Sequence, residues 1–179
     1  MTHLLSVLFG ITLAATAPQV DSPSVPPESW IAMKGDRMIV DTRDNMGYLV
    51  HDNGSYLEFK VATGQKRVVR YLGLTYNAAT PNRKWQVLST HTQPDRTTFG
   101  PTGWFLRLYD DGERTSYGIH SHRSIAKMLE EDKRYESMGC VLVTDDILAF
   151  VTQAYYLNGN TLDVVTVNGI DSSLLAKAD

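Results

Sequence analysis

Cys140 is the single cysteine in the chain, set in Ser137-Met138-Gly139-Cys140-Val141-Leu142-Val143. Taken alone it could be a small buried apolar residue, but its neighbours point to a nucleophile. A thiol attacks a carbonyl usefully only when a base or a positive dipole helps to ionise it. Gly139 allows a backbone turn closed to other residues and a close approach to a ligand. The N–H groups of Gly139 and Cys140 could then face a developing oxyanion, where such donors matter most. The base must be a histidine, and the sequence offers five. His3 lies in the N-terminal leader, and His51 and His91 lie far upstream in strand-end or loop settings. His120 and His122 remain, in Tyr117-Gly118-Ile119-His120-Ser121-His122. His120 ends a strand candidate, a place where scaffolds present functional groups. One cysteine beside two histidines lacks a closed ligand set, so no metal site is expected.

These groups need a rigid frame, and the rest of the chain reads as short strands. Arg37 to Asp41 alternates, Gly47 to His51 follows closely, and Asp52-Asn53-Gly54 is a strong turn signal leading into Tyr56 to Val61. Lys84 to Thr90, Gly103 to Tyr109 and Thr115 to His120 are further strands, the last two joined at Asp110-Asp111-Gly112. The apolar run Val141 to Val143 would anchor the cysteine turn on a strand. Ser124 to Glu131 puts Ile125, Met128 and Leu129 on one helical face. Thr144 caps a second helix through about Tyr156, with Asp145 and Asp146 in its first turn. Asn158-Gly159-Asn160 stops it, and Leu162 to Val167 reads as a closing strand. The expected fold is mainly β, a sandwich or open barrel carrying one or two short helices.

The chain has 179 residues with 42% apolar content, enough for one domain with a packed core, and a net charge of −3. With acids and bases interspersed there is no basic face, which excludes nucleic acid as the partner class. Residues 1–17 read as a signal peptide or N-terminal anchor: Leu4 to Ala15 is apolar and Ala15-Thr16-Ala17 resembles a small-residue cleavage site. A membrane tether is expected only through this segment. Residues 18–33 read as a linker, 34–169 as the domain and 170–179 as a loose tail. A lone cysteine in an exported chain forms no internal disulfide.

Ile119-His120-Ser121 followed by Ser137-x-Gly139-Cys140-Val141 resembles the signature of the L,D-transpeptidase (YkuD-type) catalytic-domain family. Phe99-Gly100-Pro101-Thr102-Gly103-Trp104-Phe105 is similar to the segment that precedes the histidine there, and the meander from Asp36 to Gly64 is similar to the family's N-terminal part. Histidine before cysteine separates this pattern from papain-like endopeptidases. No arginine follows Cys140, which disfavours a sortase. Two positions depart: Met138 stands where a histidine is usual, and Leu142 where an arginine or asparagine is usual.

The resemblance implies a bacterial enzyme exported to the periplasm or cell envelope, acting on peptidoglycan stem peptides without metal or organic cofactor. Cys140 would form a thioester with the stem after release of D-alanine and pass it to an amine, with His120 as base. Ser121 would orient the imidazole, and Ser137 with Gly139 would order the cysteine turn. Tyr117, Trp104 and His122 are candidates to touch substrate, as is Phe105, although aromatic residues in strands also serve the core. Arg123 and Lys127 fit either the stem's carboxylates or a solvated helix face. Two alternatives keep the same sequence features: a carboxypeptidase or endopeptidase hydrolysing the same bond, and a non-catalytic peptidoglycan-binding module.

Overall fold

Strand signals separated by turn residues produce the mainly β fold expected, as seen in a computed structural model that describes residues 23–176 apart from 72, 131 and 133. The segment expected as a signal or anchor, residues 1–17, lies outside the described residues. No described helix is long and apolar enough to cross a membrane.

Strands β1 (Arg37–Asp41), β2 (Met46–Val50) and β3 (Tyr56–Lys60) form the expected antiparallel meander. A short β4 (Thr63–Gly64), where the expected meander ends, is followed by a hairpin of β5 (Val68–Tyr71) and β6 (Leu74–Asn77) that the sequence did not signal. Then come β7 (Lys84–Thr92), β8 (Trp104–Asp110) and β9 (Glu113–His120), joined as antiparallel neighbours. Helix α1 (Ile125–Glu130), β10 (Tyr135–Ser137) and β11 (Val141–Leu142) lead to helix α2 (Asp145–Leu157) and β12 (Leu162–Val167). Eight strands make one sheet, in the order β11-β9-β8-β7-β12-β1-β2-β3, which curls into a half-barrel. Its parallel pairs are β1 with β12 and β9 with β11.

Helix α2 forms where its caps predict. Thr144 Oγ1 accepts the Ile147 N–H at 3.4 Å, Asp145 and Asp146 favour the dipole, and Gly159 and Asn160 leave the helix at positive φ. Ile147, Leu148, Val151, Ala154 and Tyr155 pack onto Leu106, Leu108, Ile119, Val141 and Val164 of the sheet. Each large side chain so buried contributes about 2 kcal/mol. This core fixes the strands that carry His120 and Cys140 from one side of the sheet.

Two terminal stretches differ from expectation. The C-terminal half of the expected linker runs against the domain: Val25 N–H donates to Tyr56 O at 2.7 Å, and Trp30 is buried. Trp30 stacks on His51 at 3.9 Å, apolar burial that a free linker lacks. The expected tail is also tied down as far as residue 176. Both Asp41 carboxylate oxygens accept backbone N–H groups, from Gly169 at 2.8 Å and Ile170 at 3.1 Å. Ile170, Leu174 and Leu175 cover Ile39, Tyr48 and Val50, so β1 is buried on both faces.

Candidate active site

Strand register determines which side chains can meet. Leu142 lies opposite His120 in the parallel pairing of β11 with β9, and β8 sets Phe105 opposite His120 and Arg107 opposite Gly118. Side chains alternate along a strand, so Phe105, Arg107, His120 and Cys140 share the sheet face away from α2. The Gly118 backbone hydrogen-bonds the Cys140 thiol. Gly118 has a steric reason as well: a Cβ there would come within 2.3 Å of the Phe105 ring.

The cysteine turn is held by its own side chains. Gly139 has φ of +119°, and a Cβ on it would come within 2.6 Å of the Tyr117 ring. Ser137 Oγ donates to Cys140 O at 2.5 Å and accepts the Gly139 N–H at 3.0 Å. That bond corrects one expectation, because the Gly139 amide already has an acceptor; the Cys140 amide is the remaining candidate oxyanion donor in the turn. Thr80 adds a clamp from outside the motif. Its Oγ1 donates to Gly139 O at 2.9 Å and accepts the Gly64 N–H at 2.9 Å. Tyr76, on the unforeseen hairpin, donates to Met138 O at 3.3 Å.

His120 is 5% exposed, and its Nδ1–H donates to Ser121 O at 2.7 Å, which leaves Nε2 with the lone pair. Phe99 and Phe105, packed edge to face on each other, lie against the ring at 4.9 and 5.6 Å. Burial pushes its pKa down to about 4; the Ser121 and Thr98 carbonyls oppose that shift, and nearby His122 adds to it. The same desolvation pushes the Cys140 thiol up to about 11, against the Gly118 hydrogen bond and the Arg107 charge. The resting pair is therefore thiol and imidazole, both neutral near pH 7. A site of this kind favours proton transfer coupled to attack over a stored thiolate.

The remaining expected residues are divided. Ser121 is fully buried, its Oγ without a partner, beside Gly100, where a Cβ would come within 2.8 Å of the Ser121 Cβ. Its carbonyl, not its hydroxyl, contacts the imidazole. Tyr117 packs under Gly139 and against Trp85, supporting the turn from the core side. His122 sits near His120 but uses Nδ1 to accept the Ser124 N–H at 3.0 Å, at the start of α1. Trp104 does not join the group. It lines a cavity of about 120 Å³ on the α2 side, with Thr90, Thr92, Leu106, Thr152 and Tyr156. Alternation explains this: Phe105 takes the His120 face, so its neighbour Trp104 takes the other.

Sequence reasoning did not find Thr80, Tyr76 or Arg107. The first two reach the cysteine turn across about sixty residues of chain, and no local spacing carries that information. Arg107 had one usable signal, a charge in the middle of an apolar strand. Among the described residues, no group of three or more His, Cys, Asp or Glu could hold a metal ion.

The L,D-transpeptidase catalytic-domain (YkuD) family model matches residues 35–165. No curated protein matches the sequence significantly. Among solved structures, an L,D-transpeptidase from Xylanimonas cellulosilytica superposes with a TM-score of 0.55 at 19% identity, covering 76% of this chain and 62% of that one. Bd1075 of Bdellovibrio bacteriovorus gives 0.54 at 14% identity, covering 78% and 50%. The helical cell shape determining protein Pgp2 of Campylobacter jejuni gives 0.51 at 15% identity, covering 82% and 54%. The chain thus spans half to about three-fifths of these longer proteins, and at such identities the likeness is one of fold.

Proposed function

This chain belongs to the L,D-transpeptidase catalytic-domain family, and on that premise we propose that it is a peptidoglycan L,D-transpeptidase with Cys140 as nucleophile and His120 as base. The observation that carries the assignment of roles is the pairing of β9 with β11, which sets His120 and the cysteine turn side by side on one face. The Gly118 contact to the thiol and the tautomer fixed by Ser121 agree with it.

As substrate binds, His120 Nε2 takes the thiol proton while sulfur attacks the carbonyl of the diamino acid at stem position three. The Cys140 N–H faces the oxyanion. His120 then gives the proton to the departing amine, D-alanine leaves, and a thioester remains. An amine of a second stem attacks the thioester, His120 accepts its proton, and the thiol is restored with a new cross-link. Ser137 and Thr80 hold the turn, and Ser121 holds the ring. Peptidoglycan as substrate sets the place of action at the bacterial cell envelope, with residues 1–17 as the export signal or anchor.

The test is product analysis by mass spectrometry after incubation with disaccharide-tetrapeptide. A cross-linked dimer with loss of D-alanine, absent with Cys140→Ala, is expected. Tripeptide without dimer would replace transfer by hydrolysis, and no conversion would leave a binding module.

A further inference from the structure

The face that carries Cys140 also carries a cation that pairs with no carboxylate among the described residues. Arg107 lies opposite Gly118 in the β8–β9 pairing, one strand from the residue whose backbone contacts the thiol. Its guanidinium lies over the Phe105 ring at 4.7 Å, and that ring in turn flanks His120 at 5.6 Å. Nη1 donates to Thr115 O at 2.6 Å, whereas Nε is buried and has no acceptor. Among the described residues, no carboxylate lies within ion-pair distance of Arg107. Arg114 repels it, Tyr109 and Cys140 act on it in the opposite sense, and the His91 pKa is held below its usual value by burial first and by Arg107 and Arg114 after that. A partly buried guanidinium with an orphan N–H costs free energy that an arriving anion would recover. The planar fork fits a carboxylate.

We propose that Arg107 forms a carboxylate-binding subsite beside Cys140, which takes a free carboxylate of the acyl-donor peptide and so aligns the attacked carbonyl. The inference rests on the reading of Cys140 as an acyl-transfer nucleophile and deepens it, because it names the donor's charge as the feature selected. A muropeptide offers two such groups near the reacting centre: the terminal carboxylate of the leaving D-alanine and the side-chain carboxylate of a diamino-diacid at position three. Leu142 lies in an apolar cluster with Ala62, Ile125 and Leu129, so it contributes no charge here. Arg107 would supply that charge from a different strand.

The subsite is tested by binding, independently of turnover. Full-length Cys140→Ala protein is titrated by calorimetry with disaccharide-tetrapeptide carrying both carboxylates free, then with each carboxylate amidated in turn. The same titrations are made with Arg107→Gln and Arg107→Lys added. Amidation of one of the two carboxylates should weaken binding by about tenfold to a hundredfold. Arg107→Gln should weaken the free donor as much and add little on that amidated donor. Lysine should restore part of the loss for the free donor. Whichever amidation matters identifies the group bound. Equal losses on all donors, no loss on any, or no donor binding would overturn the proposal. If Arg107→Gln does not fold, the comparison of donors on the Arg107 protein decides: equal affinities sink the subsite. Carboxylate discrimination without turnover by the Cys140 protein would overturn the transpeptidase reading and leave the subsite standing; turnover without discrimination would do the reverse.

Discussion

Two buried histidines end strands of the same sheet, and they are held in opposite ways. His51 follows β2 at 8% exposure, its Nδ1 facing the Asp36 carboxylate at 2.5 Å and its ring stacked on Trp30. His120 ends β9 at 5% exposure, with a backbone carbonyl as its partner and two mutually packed phenylalanine rings against it. A carboxylate and an aromatic ring make His51 a fastener that binds the N-terminal segment to the domain. A carbonyl fixes the tautomer of His120 without offering a full negative charge, so desolvation keeps the ring neutral and the Nε2 lone pair unprotonated near pH 7. At similar burial the two rings differ in the chemistry of their partners, a carboxylate for one and a backbone carbonyl for the other.

Mutation should separate the two sharply. His120→Gln is expected to lower kcat/KM for cross-linking by about 10³-fold, the range of a lost general base. A loss below tenfold would break the comparison.

Acid should find His120 first. Its pKa is about 4 in the folded chain against an ordinary 6.5 in the unfolded one, so protons favour unfolding between those values. Its stabilising share is complete above pH 6.5 and falls by about 3 kcal/mol as pH drops towards 4. Urea unfolding of wild type and His120→Gln at pH 7 and pH 4.5 should show the variant losing less stability on acidification.

His51→Gln acts on the other side of the comparison. Loss of a buried, charge-assisted contact should lower stability by about 2 kcal/mol in urea unfolding while kcat stays within about twofold. A large fall in kcat at unchanged stability would make His51 part of the catalytic machinery.

Ser137→Ala tests the smallest expected effect. It frees the Gly139 N–H and the Cys140 carbonyl, so stability should drop by about 1 kcal/mol and kcat by several-fold. An increase in kcat would mean that the freed Gly139 amide is the better oxyanion donor.

Much of the frame could be read before the structure. Asp52-Asn53-Gly54 and Asp110-Asp111-Gly112 mark hairpins because tight turns demand those residues, and Thr144 with two aspartates marks α2. The pieces that escaped have no local signature. Thr63 and Tyr135 of β4 and β10 pair across some seventy residues, and Val68 to Asn77 of the hairpin shows little of the apolar alternation that marks a half-buried strand. The terminal stretches read as linker and tail because their anchors lie elsewhere in the chain: Asp41 catches Gly169 and Ile170, and Trp30 finds His51. At the candidate site, residue type and position single out Cys140 and His120, and the family resemblance adds Ser137. Spacing alone groups Trp104 with them because it does not say which face of β8 the side chain takes. Thr80 and Arg107 needed the register.

The central claim is that His120, and not the equally buried His51, works with Cys140. The most direct measurement follows the mass of the intact protein during acylation by disaccharide-tetrapeptide, at pH 7, for wild type, His120→Gln and His51→Gln. The account predicts an adduct on Cys140 equal to the donor less D-alanine, formed at similar rates in wild type and His51→Gln. In His120→Gln it should form about 10³-fold more slowly. Acylation of His120→Gln at the wild-type rate, or an adduct that persists in Cys140→Ala, would contradict it.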